Sequence, residues 1–115
     1  MDVLKGIFGN NTAAQMLLYI YHYSDAYASV IAKDLNIPVT PIKNQLTRFE
    51  NSGVLISKQF GRTRVYFFNP KSPFVKPIKE ILGMVHQAIP LSEKERIFSS
   101  RRKPRRKGKP VYART

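Results

Sequence analysis

One switch at Gly53 limits what this chain can become. Before it, Ile42, Leu46 and Phe49 fall at i, i+4 and i+7, the spacing of a single helical face. After it, 54-VLISKQF-60 and 63-TRVYFFN-69 are β-branched and aromatic runs on either side of Gly61-Arg62, the pattern of a hairpin. Thr40 is placed to cap the helix and Pro41 to be its first residue, because the N–H that proline lacks would be unpaired there. Gly53 then reads as the stop. The expectation is a helix over about 41–52 that runs directly into a hairpin. Val65 and Phe67 share one hairpin face, and Arg64, Tyr66 and Phe68 the other. Both faces carry apolar groups, so one packs on the body and the other is partly covered.

The flanking segments are helical. Asn10–Thr12 offers a cap for 13-AAQMLLYIYHY-23, where Ala14, Leu17, Leu18 and Tyr21 recur at helical spacing. The segment 24-SDAYAS-29 breaks that pattern, with a short extended stretch around Tyr27. Ser29 is read as the cap of 30-VIAKDL-35, with Ile31 and Leu35 inward, and 36-NIPV-39 as a turn, since Pro38 disfavours helical dihedrals at Ile37. Downstream, 72-SPFVKPIKEILGMVHQAI-89 carries an apolar stripe of Phe74, Ile78, Ile81, Leu82, Val85 and Ile89, with Pro77 either opening the helix or kinking its first turn. Ser92 and Glu95 form a capping box for a short helix, 93-EKERIFSS-100.

Charge separates the body from the C-terminus. Twenty Lys and Arg stand against seven Asp and Glu, for a net +13. Eight of those bases (Arg101, Arg102, Lys103, Arg105, Arg106, Lys107, Lys109 and Arg114) lie in 101–115, which has no acid. Such a block, interrupted by Pro and Gly, is expected to be disordered when unbound. A strongly basic chain favours a polyanionic partner, nucleic acid before anionic membrane. With 115 residues the chain is read as one domain over 1–90, a short helix or linker over 91–100, and a basic tail over 101–115. No apolar run is long enough to span a membrane and the start has no secretory pattern, so the expected location is the cytoplasm, at the nucleoid. There is no Cys, hence no disulfide or thiolate site.

Helices, a Gly-tipped hairpin and a further helix form the order of a winged helix-turn-helix, a mainly α fold with a small β wing, classed α+β. In such units the second helix of the pair enters the major groove. Thr40 and Pro41 would place first-turn N–H groups against a phosphate. Lys43, Asn44, Gln45 and Thr47 suit base edges, and Arg48 a phosphate. Lys58, Arg62 and Arg64 cluster around Gly61, ready for phosphate or minor-groove contact. The tail bases read as a nonspecific phosphate-binding arm; 107-KGKP-110 only weakly resembles the Arg-Gly-Arg-Pro core of AT-hook peptides. The 74–89 stripe (Phe74, Ile78, Ile81, Leu82, Val85, Ile89) is longer than one side of a small core needs and is read as a homodimer surface.

Other features are read as structural. Tyr19, Tyr21, Tyr23 and Tyr27 pack rather than stack on bases, and His22 and His86 lie far apart, neither catalytic. No nucleophile sits with a base, no carboxylates pair and no Gly-rich loop cradles phosphate, so no enzyme, cofactor or effector is expected. The expected function is a sequence-specific regulator of duplex DNA, most simply a repressor. The competing readings are a tail-driven architectural binder and a winged-helix protein-interaction module.

Three stretches carry a family resemblance. The segment 7-IFGNNTAAQMLLYI-20 is similar to the leading helix of a branch that begins with a Leu-Phe-Gly element. The segment 31-IAKDLNIPVTPIKNQLTRFENSGVL-55 resembles a helix-turn-helix closing on Leu-x-x-Leu-x-x-x-Gly-Leu, with Phe49 and Val54 here. The segment 58-KQFGRTRVYFFNPKSPF-74 resembles a Gly-Arg wing followed by Tyr-x-x-Asn-Pro. In this order, from Ile7 to about Leu82, they resemble the arsenical-repressor-like winged-helix transcription regulators. The resemblance implies recognition-helix contacts at Lys43, Asn44 and Gln45 and a wing contact at Arg62. Sensor members hold metal in Cys, His or Asp clusters. This chain lacks Cys and has only two histidines, which implies a branch that does not sense metal.

Overall fold

A computed structural model describes residues 2–98. The elements run α1 (Asp2–Phe8), α2 (Asn11–Tyr23), β1 (Asp25–Tyr27), α3 (Ala28–Leu35), α4 (Val39–Asn51), β2 (Leu55–Phe60), β3 (Thr63–Phe68), α5 (Val75–Ala88) and α6 (Leu91–Phe98). The basic tail, and the last two residues expected in the final helix, lie outside the described residues.

The core is built around α2. Its Ala13, Ala14 and the run Met16–Ile20 are buried, so neighbours pack on nearly all its sides. Asn10 caps it as expected, its Oδ1 accepting from the Ala13 N–H at 2.8 Å. Leu4 and Phe8 of α1, Ile31 of α3, Ile42, Leu46 and Phe49 of α4, Leu55 of β2 and Leu82 of α5 close the same cluster. Tyr19 is fully buried and its hydroxyl donates to Asp34 Oδ2 at 2.5 Å, joining α2 to α3.

Several boundaries differ from the sequence reading. The turn after α3 ends at Asn36, which takes the left-handed conformation, φ +57°. Its short polar side chain tolerates that region. Pro38 then flanks α4, so the helix starts at Val39 and Thr40 lies inside its first turn rather than capping it. Pro41 is still in that first turn, where a missing N–H costs no helical bond. Ser29 likewise sits inside α3, which opens from Tyr27 with no side-chain cap. Pro77 falls in the first turn of α5 and the helix continues through it to Ala88. Ser92 lies within α6 rather than at its cap, and the Pro90 carbonyl accepts from both Glu93 and Lys94 N–H groups at 3.0 Å. The helix α1 was absent from the sequence reading; Gly6 at its centre weakens its helical signal.

Gly53 performs the switch. Its φ of +85° lets its N–H bond Glu50 O at 3.0 Å while Val54 N–H bonds Phe49 O at 3.0 Å. This paired closure ends α4 and turns the chain into β2. The sheet has three strands, not two: β1 adds to β3, in the order β1-β3-β2, all antiparallel. Phe60 pairs with Thr63, which leaves Gly61 and Arg62 as a two-residue turn with Gly61 at φ +61°.

Candidate nucleic-acid interface

Helical spacing and burial divide α4 into three lines. Ile42, Leu46 and Phe49 point into the core, at 0%, 0% and 6% exposure. Thr40, Asn44, Thr47 and Asn51, at i, i+4, i+7 and i+11, form the line opposite the core and are all exposed. Lys43 flanks that line, also exposed. Pro41, Gln45 and Arg48 form the third line, at the edge of the buried stripe.

This third line is engaged within the chain. Arg48 Nη2 donates to the Phe8 carbonyl at 2.9 Å, and Nη1 donates to Gln45 Oε1 at 2.7 Å. The guanidinium also lies 4.8 Å from the centre of the Phe49 ring. Gln45 and Arg48 thus differ from Lys43 and Asn44 in being hydrogen-bonded within the chain. The signal was in the spacing: 45 and 48 follow 41 on a line nearer the buried stripe than 40, 44 and 47.

The wing is fixed at its base and free at its tip. Glu50 Oε2 accepts from the Ser57 hydroxyl at 2.7 Å, and Ser57 Oγ accepts from Arg64 Nη1 at 2.7 Å. This relay pins the hairpin to the last turn of α4 and occupies Arg64. Burial, with the Glu50 carboxylate nearby, raises the neighbouring Tyr66 hydroxyl above its usual value. At the tip Gln59 Nε2 donates to the Gly61 carbonyl at 3.1 Å. Lys58 and Arg62 are exposed. No side-chain hydrogen bond or ion pair to another described residue engages Lys43, Asn44, Lys58 or Arg62.

On the far side, the expected dimer stripe spreads over several environments. Phe74 is 68% exposed, Leu82 is fully buried in the chain's own core, and Ile78, Ile81, Val85 and Ile89 are half-buried. Apolar residues outside that stripe join it: Val3 and Ile7 of α1 are 60% and 53% exposed and Met84 71%. With Ile81, Val85 and Ile89 they line a groove of about 650 Å³.

The histidines meet, contrary to the sequence reading. His22 Nδ1 and His86 Nε2 are 2.8 Å apart, bringing α2 to α5 across 64 residues of sequence. Phe98 of α6 stacks on His22 with ring centres 3.9 Å apart and planes 6° from parallel. Tyr23 O–H donates to the Phe98 carbonyl. Among the described residues no group of three or more His, Asp or Glu converges on a metal-sized site. Nor does any described helix have the length and apolarity to cross a membrane.

No family model matches the chain, and no curated protein matches it in sequence. Solved structures do match in fold. The adhesin competence repressor of Streptococcus pyogenes is 18% identical, with a TM-score of 0.56, over 74% of this chain and 64% of that one. Reduced HlyU from Vibrio cholerae is 18% identical with a TM-score of 0.57, covering 73% of this chain and 85% of its own. The AntR antimony-specific transcriptional repressor is 20% identical with a TM-score of 0.53, over 75% of this chain and 77% of that one. The chain thus has the winged-helix fold, and it spans less than two thirds of the streptococcal protein's length.

Proposed function

We propose that this chain is a DNA-binding transcription regulator of the arsenical-repressor-like type, most simply a repressor, and not an enzyme. The observation that carries the reading is α4: its outward line and flank (Thr40, Lys43, Asn44, Thr47) are polar, exposed and unengaged by described neighbours, beside a pinned wing with a basic tip. Asn44 is suited to adenine and Lys43 to guanine in the major groove. Lys58 and Arg62 reach phosphate or the minor groove, and the 101–115 bases add a nonspecific arm. The two neighbours whose descriptions name them repressors support the regulatory half of this reading.

A domain of this size reads few base pairs alone, so a homodimer on an inverted repeat is the working assembly. The uncovered groove between α1 and α5, bearing Val3, Ile7 and Met84, is the surface proposed for the second copy. The protein would act in the cytoplasm, at the nucleoid, without metal or other cofactor.

The deciding experiment is selection of bound duplexes from a random pool at about 150 mM salt, which suppresses purely electrostatic binding. A sharp inverted repeat supports the reading. A featureless or merely A·T-rich pool favours the second reading, an architectural binder, whose motive is the eight-to-none excess of bases over acids in 101–115. Deleting that tail should then abolish binding, whereas the specific regulator keeps its motif.

A further inference from the structure

We propose that Arg48 is not a DNA contact but a positioning residue, a brace that sets the angle of α4 against α1. The inference rests on α4 being the recognition helix. Arginine has donors only, so the Gln45 atom facing it at 2.7 Å is the amide oxygen. The same guanidinium donates to the Phe8 carbonyl at 2.9 Å, at the C-terminal end of α1, where a cation is favoured by the helix dipole. Below this fork, Phe8 and Phe49 meet edge to face with ring centres 6.1 Å apart. The two helices are therefore joined by a polar fork over an aromatic contact.

The fork matches guanidinium chemistry. It holds a carbonyl of one helix and an amide oxygen of the other with two nitrogens in a fixed plane, which a lysine ammonium, a single point of charge, does not reproduce. Its position also matters. Gln45 and Arg48 lie beside the buried stripe and the outward line lies across the helix from it, so a small roll of α4 leaves the brace in place only at one setting. That setting decides where Asn44 and Thr47 point. The base-reading set shrinks to Lys43, Asn44 and Thr47, with Gln45 removed from it. The helix so braced, α1, also presents Val3 and Ile7 to the groove proposed for the second copy.

The test compares Arg48→Lys, Arg48→Met and Gln45→Leu on the motif selected by the unmodified protein and on random duplex of equal length. Thermal unfolding checks that each variant is folded at the assay temperature. The brace predicts that both Arg48 variants lose about tenfold on the motif, stay within about twofold on random duplex and leave the salt slope unchanged. Gln45→Leu should weaken all positions of the motif evenly. Three results overturn the inference while leaving the DNA reading intact. One is rescue by Arg48→Lys with a salt slope lowered by about one in Arg48→Met, the mark of a phosphate contact. Another is unchanged motif affinity in both Arg48 variants. The third is loss of preference at a single base pair in Gln45→Leu, the mark of a base reader. Failure of the unmodified protein to select any motif overturns the sequence-specific reading itself, and the brace as a positioning device with it.

Discussion

The helices α4 and α5 are near equals in length, thirteen and fourteen residues, and both are amphipathic, yet their spare faces are opposite in chemistry. In α4 the stripe of Ile42, Leu46 and Phe49 is absorbed by the chain's own core, and apart from Val39 at the helix start what remains exposed is Thr, Asn, Lys and Arg. In α5 only Val75 and Leu82 are buried, while Met84 stays 71% exposed beside half-covered Ile81 and Val85. A helix with polar groups to spare is finished as a structure. A helix with apolar area to spare is unfinished until something covers it, because water in contact with that area costs free energy roughly in proportion to it.

The largest effect belongs to the anchoring of α4 on the core. Leu46 is fully buried, so Leu46→Ala should cost about 3 kcal/mol from lost transfer and the cavity left behind, read by denaturant or thermal unfolding. A cost below about 1 kcal/mol would mean that α4 is not packed on the core.

Asn44 sharpens the other side of α4. Asn44→Ala should cost about 1–3 kcal/mol on the best duplex and little on random DNA. Equal losses on both would remove base reading from this residue. Folding should be untouched, since the residue is exposed.

For α5 the relevant variant is Met84→Asp. At 71% exposure the change should alter the stability of a single chain by no more than about 0.5 kcal/mol. It should convert a dimer at tens of micromolar into a monomer in sedimentation. An unmodified protein that is already monomeric at that concentration would contradict the assignment of the groove.

The smallest effect belongs to the edge of α5 that faces α2. Burial, with the Lys94 charge nearby, holds His86 below the usual imidazole value. The unfolded chain therefore binds a proton more readily than the folded one. Stability from this group is complete above about pH 6.5 and declines as the pH falls through the lowered folded value. Melting temperatures at pH 7.5 and 5.5 should differ in that direction, and less so in His86→Gln. A difference of the same size in the variant would place the pH dependence elsewhere.

Much of the fold was legible because its signals are local. The stop at Gly53, the Gly61 turn and the stripe of Ile42, Leu46 and Phe49 are each written within a few residues, and each is where expected. Helix starts were less legible. Thr40, Ser29 and Ser92 all have capping chemistry, yet all lie inside their helices, since Pro38, Tyr27 and Pro90 provide the boundary geometry instead. The candidate site was legible as a set of residue types. Its internal ties were not: Arg48 bonds a carbonyl 40 residues earlier, and Arg64 a serine seven residues before it.

By itself the sequence determined the order of helices and hairpin, the polar character of the exposed face of α4 and the placement of charge, because periodicity, glycine and net charge act within a few residues or add up without regard to fold. Only the tertiary structure decided which apolar residues stay uncovered, which cations are tied down and that two histidines 64 residues apart touch. Those outcomes depend on which surfaces meet, and that is set by the packing of whole elements rather than by any local run.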